Sequence, residues 1–152
     1  TRDIPMAEFP MGYMTPSFDL DEMVTDIRVP IWPKGHGYAF VEFARRHGDY
    51  AITSSAVLLD VADGGEISKA SVTLGGVGPS PLRVATVEEA LAGEVGSKEL
   101  FTEIAEKCRE IDAMEDVYTP AWYRQHLAVV LTRRALAKAF SRAANGTGMS
   151  LR

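Results

Sequence analysis

Residues 42 to 51 read EFARRHGDYA, which sets Arg45, Arg46, His47 and Asp49 within five positions just ahead of an apolar run. Such a grouping is either an acid–base cluster, with the imidazole as proton carrier, or a hairpin whose turn happens to be charged. Successive strand positions point to opposite faces, so at most one of the two arginines can join Asp49 in an ion pair around the turn. That limit favours the structural reading. The other residues able to do chemistry are scattered. His36, His47 and His126 fall in a loop, a turn and a helix, with none of the HxxxH, CxxC or HxH spacings that build a metal site. The single cysteine, Cys108, cannot close an internal disulfide and sits in a helical pattern as a small apolar residue. LGGVGPSP at 74–81 has the glycines of a phosphate cradle but neither GxGxxG nor GxxxxGK(S/T), so it reads as a strand-to-helix connection. Trp122, Tyr123 and Phe140 read as core or interface rather than as a cofactor platform.

A chain of 152 residues is the length of one domain and can bury about 70% of the surface its unfolded form exposes. With 46% hydrophobic and 24% charged residues it has the composition of a soluble globular protein. No apolar stretch approaches the roughly 20 residues of a membrane span. The start lacks the basic and continuous apolar segments of a secretory signal, so the expected compartment is the cytoplasm. A net charge of -5 and a pI near 5.2 oppose binding to nucleic acid. The basic residues Arg133, Arg134, Lys138 and Arg142 recur at helical spacing and read as a solvated helix face.

Residues 1–18 carry prolines, methionines and phenylalanines without periodicity, and apolar residues so dense in an irregular segment call for something to pack against. DLDEMVTDIRVP at 19–30 reads as one helical turn feeding a strand in which Ile27 and Val29 alternate with Asp26 and Arg28. YAFVEFARR is a strand with Tyr38, Phe40 and Glu42 on one face and Ala39, Val41 and Phe43 on the other. HGD makes a tight turn into a returning strand from AITSSAVLLDVAD. DGGE at 63–66 is a second turn, and Ile67, Ala70, Val72 and Leu74 mark a third antiparallel strand. From Thr86 the period is helical. Thr86 and Glu89 form a capping-box pattern for a short helix that Gly93 can end, and Ser97 caps a second helix with Leu100, Ile104, Cys108 and Ile111 on one stripe. Thr119 caps a third, with Pro120 at its first position, running to about Ala144 where Asn145-Gly146 stops it. Strands followed by helices, without alternation, predict an α+β fold: an antiparallel three- or four-stranded sheet followed by a three-helix layer.

Four segments in this order resemble a known family: IPMAEFPMGYMTPSFDLDEMVTDIRVP, YAFVEFARRHGDYAI, ISKASVTLGGVGPSPLRVATVEEAL and YRQHLAVVLTRRAL. They span nearly the whole chain, and the second and third are specific in combination. The chain is similar to the C-terminal part of the FAD-binding medium subunit of the molybdenum hydroxylases, the group of carbon monoxide dehydrogenase and the xanthine dehydrogenases. The resemblance implies the fold already read from the element order. It also implies FAD as cofactor, fed with electrons from 2Fe-2S clusters on an iron–sulfur small subunit that a molybdopterin site on a large subunit reduces. The flavin then passes the electrons to an external acceptor.

The family's glycine-rich segments for the FAD diphosphate do not occur in this sequence, so the expectation is a fragment or one half of a split subunit, partnered by an upstream FAD-binding fragment. On this reading 1–30 is the end of the FAD-binding region and its connection, 31–145 the C-terminal α+β domain, and 146–152 a disordered tail. The resemblance carries cofactor-binding roles onto Val24, which matches a position against the isoalloxazine, onto Phe40 and Val41, near the ring, and onto Arg45, which opens the loop beside the flavin. It implies no catalytic residue and no metal ligand in this chain. Gly48 stands where the xanthine dehydrogenase branch has an acidic residue and Val41 where it has lysine, so the acceptor is left open. The alternative is a non-catalytic subunit-docking module without a cofactor of its own.

Overall fold

The computed structural model describes residues 1–147, in which two unlike regions follow one another. The first begins with a small antiparallel ribbon, β1 (Pro10–Gly12) and β2 (Thr15–Pro16), in the stretch expected to be irregular. Its connection places Met14 at φ 51°. Arg2 grips Glu22 through two charge-assisted bonds of 2.6 and 2.9 Å, which ties the start of the chain to the turn at 19–22. That turn matches the helical turn read from the sequence, with the Glu22 N–H on the Asp19 carbonyl at 3.0 Å. The strand expected to follow it does not form. Residues 22–33 have no regular structure, because no strand among the described residues lies alongside to supply its hydrogen bonds.

The second region is a four-stranded antiparallel sheet in the order β3 (Gly37–Phe43), β4 (Thr53–Val61), β5 (Ile67–Gly75) and β6 (Leu82–Arg83), covered on one face by helices. β3 alternates as expected, with Ala39 buried and Tyr38, Phe40 and Glu42 open to solvent. The connection to β4 is a nine-residue loop rather than a tight turn, with the chain reversal at Arg46–Asp49 and Gly48 at φ 90°. β4 returns to β5 through 62–66, where Gly65 at φ 87° adopts a conformation that L side chains rarely take. Ile67 and Ala70 are both buried although three residues apart. A bulge explains this: Lys69 pairs with Asp60 and Ile67 with Val61, so Ser68 is skipped and the alternation resets.

The first helix, α1 (Ala85–Leu91), starts one residue before the Thr86 cap position, with Val84 as N-cap and no side-chain cap. The sheet sets this start, since the Val84 N–H bonds the Val72 carbonyl at 2.9 Å. The carboxylate recruited is Glu88, not Glu89. It accepts from the Val72 N–H at 2.8 Å and from Arg83 at 2.8 Å, stitching helix to sheet edge. α2 (Lys98–Ala105) is capped by Ser97 as expected, its hydroxyl accepting from the Leu100 N–H at 3.1 Å. It tightens into a 3₁₀ turn, Glu106–Glu110, which keeps Ile104 and Cys108 on one buried stripe.

α3 (Ala121–Thr147) lies along β3 and β4 while α1 covers β5. Its first intrahelical bond runs from the Arg124 N–H to the Pro120 carbonyl at 3.3 Å, so Pro120 caps and Thr119 lies outside. The helix passes through Asn145-Gly146 instead of stopping there. One glycine in a last turn costs only about 1 kcal/mol. Of the expected tail 146–152, residues 148–152 lie outside the described residues. Helix and sheet meet most closely at Gly37, where an added Cβ would sit 1.8 Å from the Ala139 carbonyl oxygen. Phe101 and Phe140 meet edge to face at 5.6 Å between centroids in the core beneath.

Candidate functional site

At one end of the sheet three connections converge: the β3–β4 loop 44–52, the glycine turn after β5, and the segment 111–120 leading into α3. They enclose a cleft of about 290 Å³ lined by Arg45, Asp49, Tyr50, Asp116, Tyr118 and Arg124 among others. Arg124, 5% exposed, holds the cleft floor. Its Nη1 donates to the carbonyls of Ile52 at 2.6 Å and Gly76 at 2.7 Å, and its Nη2 donates to the Asp116 carboxylate. One guanidinium therefore ties all three connections together, which its fixed fork of donors allows and an ammonium would not. The Tyr118 backbone N–H donates to Asp116 at 2.8 Å and, chiefly for that reason, holds its carboxyl below the usual carboxylate range, with Arg124 adding to the effect.

The glycine turn needs its glycine for the same junction. Gly76 has φ 73°, and a Cβ there would lie 2.4 Å from the Ile52 carbonyl oxygen. Close backbone approach in LGGVGPSP thus serves the chain's own packing rather than a phosphate.

Arg46 pairs with Asp49 at 3.4 Å, the local ion pair that the turn allows, and both are well exposed. Arg45 has no carboxylate within ion-pair distance among the described residues; its guanidinium lies over the Tyr118 ring at 4.9 Å. Phe40 stands on the open face of β3, 59% exposed, whereas Val41 turns to the opposite face and packs against the core. Adjacent on one strand, the two cannot present side chains to the same surface. Val24 is half-exposed in the irregular segment. The structure therefore brings Arg45 into the cleft and leaves Phe40 and Val24 open to solvent, with Val41 directed inward.

The remaining candidates play no part here. His47 and His126 are exposed and His36 is held by the Pro33 carbonyl, 2.7 Å from Nδ1. No group of three or more potential metal ligands occurs among the described residues. Cys108 is fully buried, burial pushes its thiol up, and it donates to the Thr132 hydroxyl at 3.6 Å. No helix among the described residues is long and apolar enough to cross a membrane.

Sequence reasoning missed Arg124. The signal was present, because Arg124, Leu127, Ala128, Leu131 and Ala135 share one buried helical stripe, and a charge on such a stripe needs fixed partners. It also missed the hydroxyl bridge from Ser55 on β4 to Thr132 on α3, 3.1 Å and buried, which crosses between the layers.

A four-stranded antiparallel sheet with helices on one face agrees with comparisons to known proteins. The chain belongs to the CO dehydrogenase flavoprotein C-terminal domain family, whose pattern matches residues 38–139. It is 37% identical over 142 residues to the caffeine dehydrogenase subunit beta of a Pseudomonas strain, covering 93% of this chain and 48% of that protein. It is 33% identical over 145 residues to the carbon monoxide dehydrogenase medium chain of Afipia carboxidovorans, covering 95% and 50%. The fold matches carbon monoxide dehydrogenase from Hydrogenophaga pseudoflava with a TM-score of 0.86 at 31% identity, over 93% of this chain and 49% of that one. The chain thus spans about half the length of these relatives.

Proposed function

We propose that this chain is the C-terminal part of an FAD-binding medium subunit in a molybdenum-hydroxylase-type oxidoreductase, and that it borders the ring end of the flavin. The observation that carries the reading is the pairing of family membership with an open aromatic on β3 and a following loop whose Arg45 has no acidic partner among the described residues. Phe40 and Val24 offer apolar surface to a flat ring, and Arg45 offers a cation that can face an electron-rich one. Val41 does not fit that role by its side chain, since it packs into the core. A diphosphate cradle has no counterpart in the glycine turn, which its own backbone fills.

When bound, the flavin would accept electrons from iron–sulfur clusters on a small subunit, themselves reduced at a molybdopterin site on a large subunit, and pass them to an external acceptor. This chain's residues orient and shield. Arg124 fixes the loop that carries Arg45, the Arg46–Asp49 pair shapes its tip, and Phe40 presents apolar surface on the strand that leads into it. Replacing Val24 or Phe40 by aspartate in the complete subunit should lower the flavin bound per polypeptide while the fold persists by circular dichroism. Full flavin content in both variants would overturn the ring-side assignment.

A further inference from the structure

We infer that residues 26–31 are an edge strand, pairing through the main chain of Ile27, Val29 and Ile31 with the edge of a β-sheet in the flavin-binding half of the medium subunit. The inference rests on the proposed function for the identity of that half. The stretch Asp26-Ile27-Arg28-Val29 alternates polar and apolar residues with the period of a strand, and after Pro30 the apolar side continues in Ile31. Ile27, Val29 and Ile31 are nevertheless 84%, 78% and 97% exposed. Among the described residues, no N–H or C=O group of 23–32 enters a main-chain hydrogen bond. The polar side is already held in place, because Arg28 Nη1 donates to Asp3 at 2.7 Å. What is open is one apolar face and the whole backbone.

Proline decides which edge pairs. In a strand, alternate residues present their N–H and C=O to opposite edges, and Pro30 has no N–H. The edge carrying residues 26, 28 and 30 therefore lacks a donor and is suited to solvent. The edge carrying 27, 29 and 31 has every donor and acceptor, and the side chains of these same residues supply the apolar face. A second copy of this chain offers a poor partner edge at β3, which Arg142 blunts by donating to the Tyr38 carbonyl at 2.6 Å. The relatives, twice as long, carry about as much additional chain as this one contains, enough for a sheet with its own edge.

The test is residue-resolved hydrogen exchange on the complete medium subunit within its complex, with the subunit's mass measured in parallel. Slowed exchange at the amides of Ile27, Val29 and Ile31, by at least tenfold relative to Asp26 and Arg28, is the expected result. Uniformly fast exchange across 26–31 would overturn the inference. Equal protection of both sets of amides would overturn the edge assignment, and protection that depends on a dimer of medium subunits would reassign the strand to a second copy. A Val29→Asp variant separates this reading from the flavin assignment. Lost protection at Ile27 and Ile31 supports the strand whatever the flavin content, whereas retained protection with lost flavin overturns it, because Val29 would then face the cofactor and not a sheet; the flavin assignment itself is read from the Val24 and Phe40 variants.

Discussion

In the second region Leu59, Leu74, Leu91, Leu131 and Leu136 are buried, while in the first Met6, Met11, Met14, Leu20, Met23, Ile27, Val29 and Ile31 stand in solvent. Both sets are large apolar residues, so hydrophobicity alone does not separate the regions. What separates them is whether an apolar face finds a complementary one nearby. Sheet and helices from residue 37 onward supply each other's partners. In the first 36 residues Trp32 lies under Lys69 of β5, but the apolar side chains named above present faces that the rest of the described chain does not cover.

The largest break in that contrast should come where the second region is tightest. At Gly37 a Cβ has no room against the Ala139 carbonyl, a backbone atom that cannot swing aside. Gly37→Val should lower stability by about 3 kcal/mol, the upper part of the overpacking range. Urea unfolding followed by circular dichroism measures it. An unchanged midpoint would mean that helix and sheet are not held at this distance.

Next comes the cleft floor. Arg124→Met should cost on the order of 2–3 kcal/mol, because the part-buried carbonyls of Ile52 and Gly76 lose their charged donor. Arg124→Lys should recover only part of that, since a point charge cannot reach three partners in a fork. The pH dependence follows from Asp116. Its carboxyl is held low in the fold, so its contribution to stability is present above the ordinary carboxylate value near about 4 and is lost as pH falls through the lowered folded value. Asp116→Asn should therefore flatten the acid limb of a stability profile below about pH 4. A profile that keeps its slope would place the acid sensitivity elsewhere.

A smaller effect should arise at the bridge between layers. Thr132→Val leaves the Ser55 hydroxyl buried without its partner and should cost about 1–2 kcal/mol, whereas Ser55→Ala together with Thr132→Val should cost less than the sum of the two single changes. A double-mutant cycle on unfolding free energies settles whether the pair is coupled.

The β-period of 37–75 and the helical period from 97 onward were legible because each pattern is satisfied within the same chain. The Ser97 cap, the Gly65 turn and the Arg46–Asp49 pair were legible for a like reason, since their signals span three or four residues. Arg124 was not, because its partners come from positions 52, 76 and 116, and the spacing of a single helix does not name them. The start of α1 was misread because a sheet hydrogen bond, not a side chain, fixes it. The alternation at 26–29 is legible as a pattern but forms no strand among the described residues, since alternation records a preference and a strand also needs a neighbour. Of the site, loop and residue types were visible, and alternation already set Phe40 and Val41 on opposite faces; which of those faces the helices cover depends on contacts from distant parts of the chain.

The smallest expected effect sharpens the comparison most. Ile27→Asp and Ile31→Asp place charges on side chains that are already in water, so in the 152-residue chain neither should change the unfolding free energy by more than about 0.5 kcal/mol. The same change at Leu74, which is fully buried, should prevent folding, because a carboxylate there would have no partner. If Ile27→Asp instead destabilises the chain by more than about 1.5 kcal/mol, the first region packs on the second in solution and the contrast between them fails. If it is neutral in this chain but weakens the complete subunit, the apolar face of 26–31 is selected for a surface that the described residues do not contain.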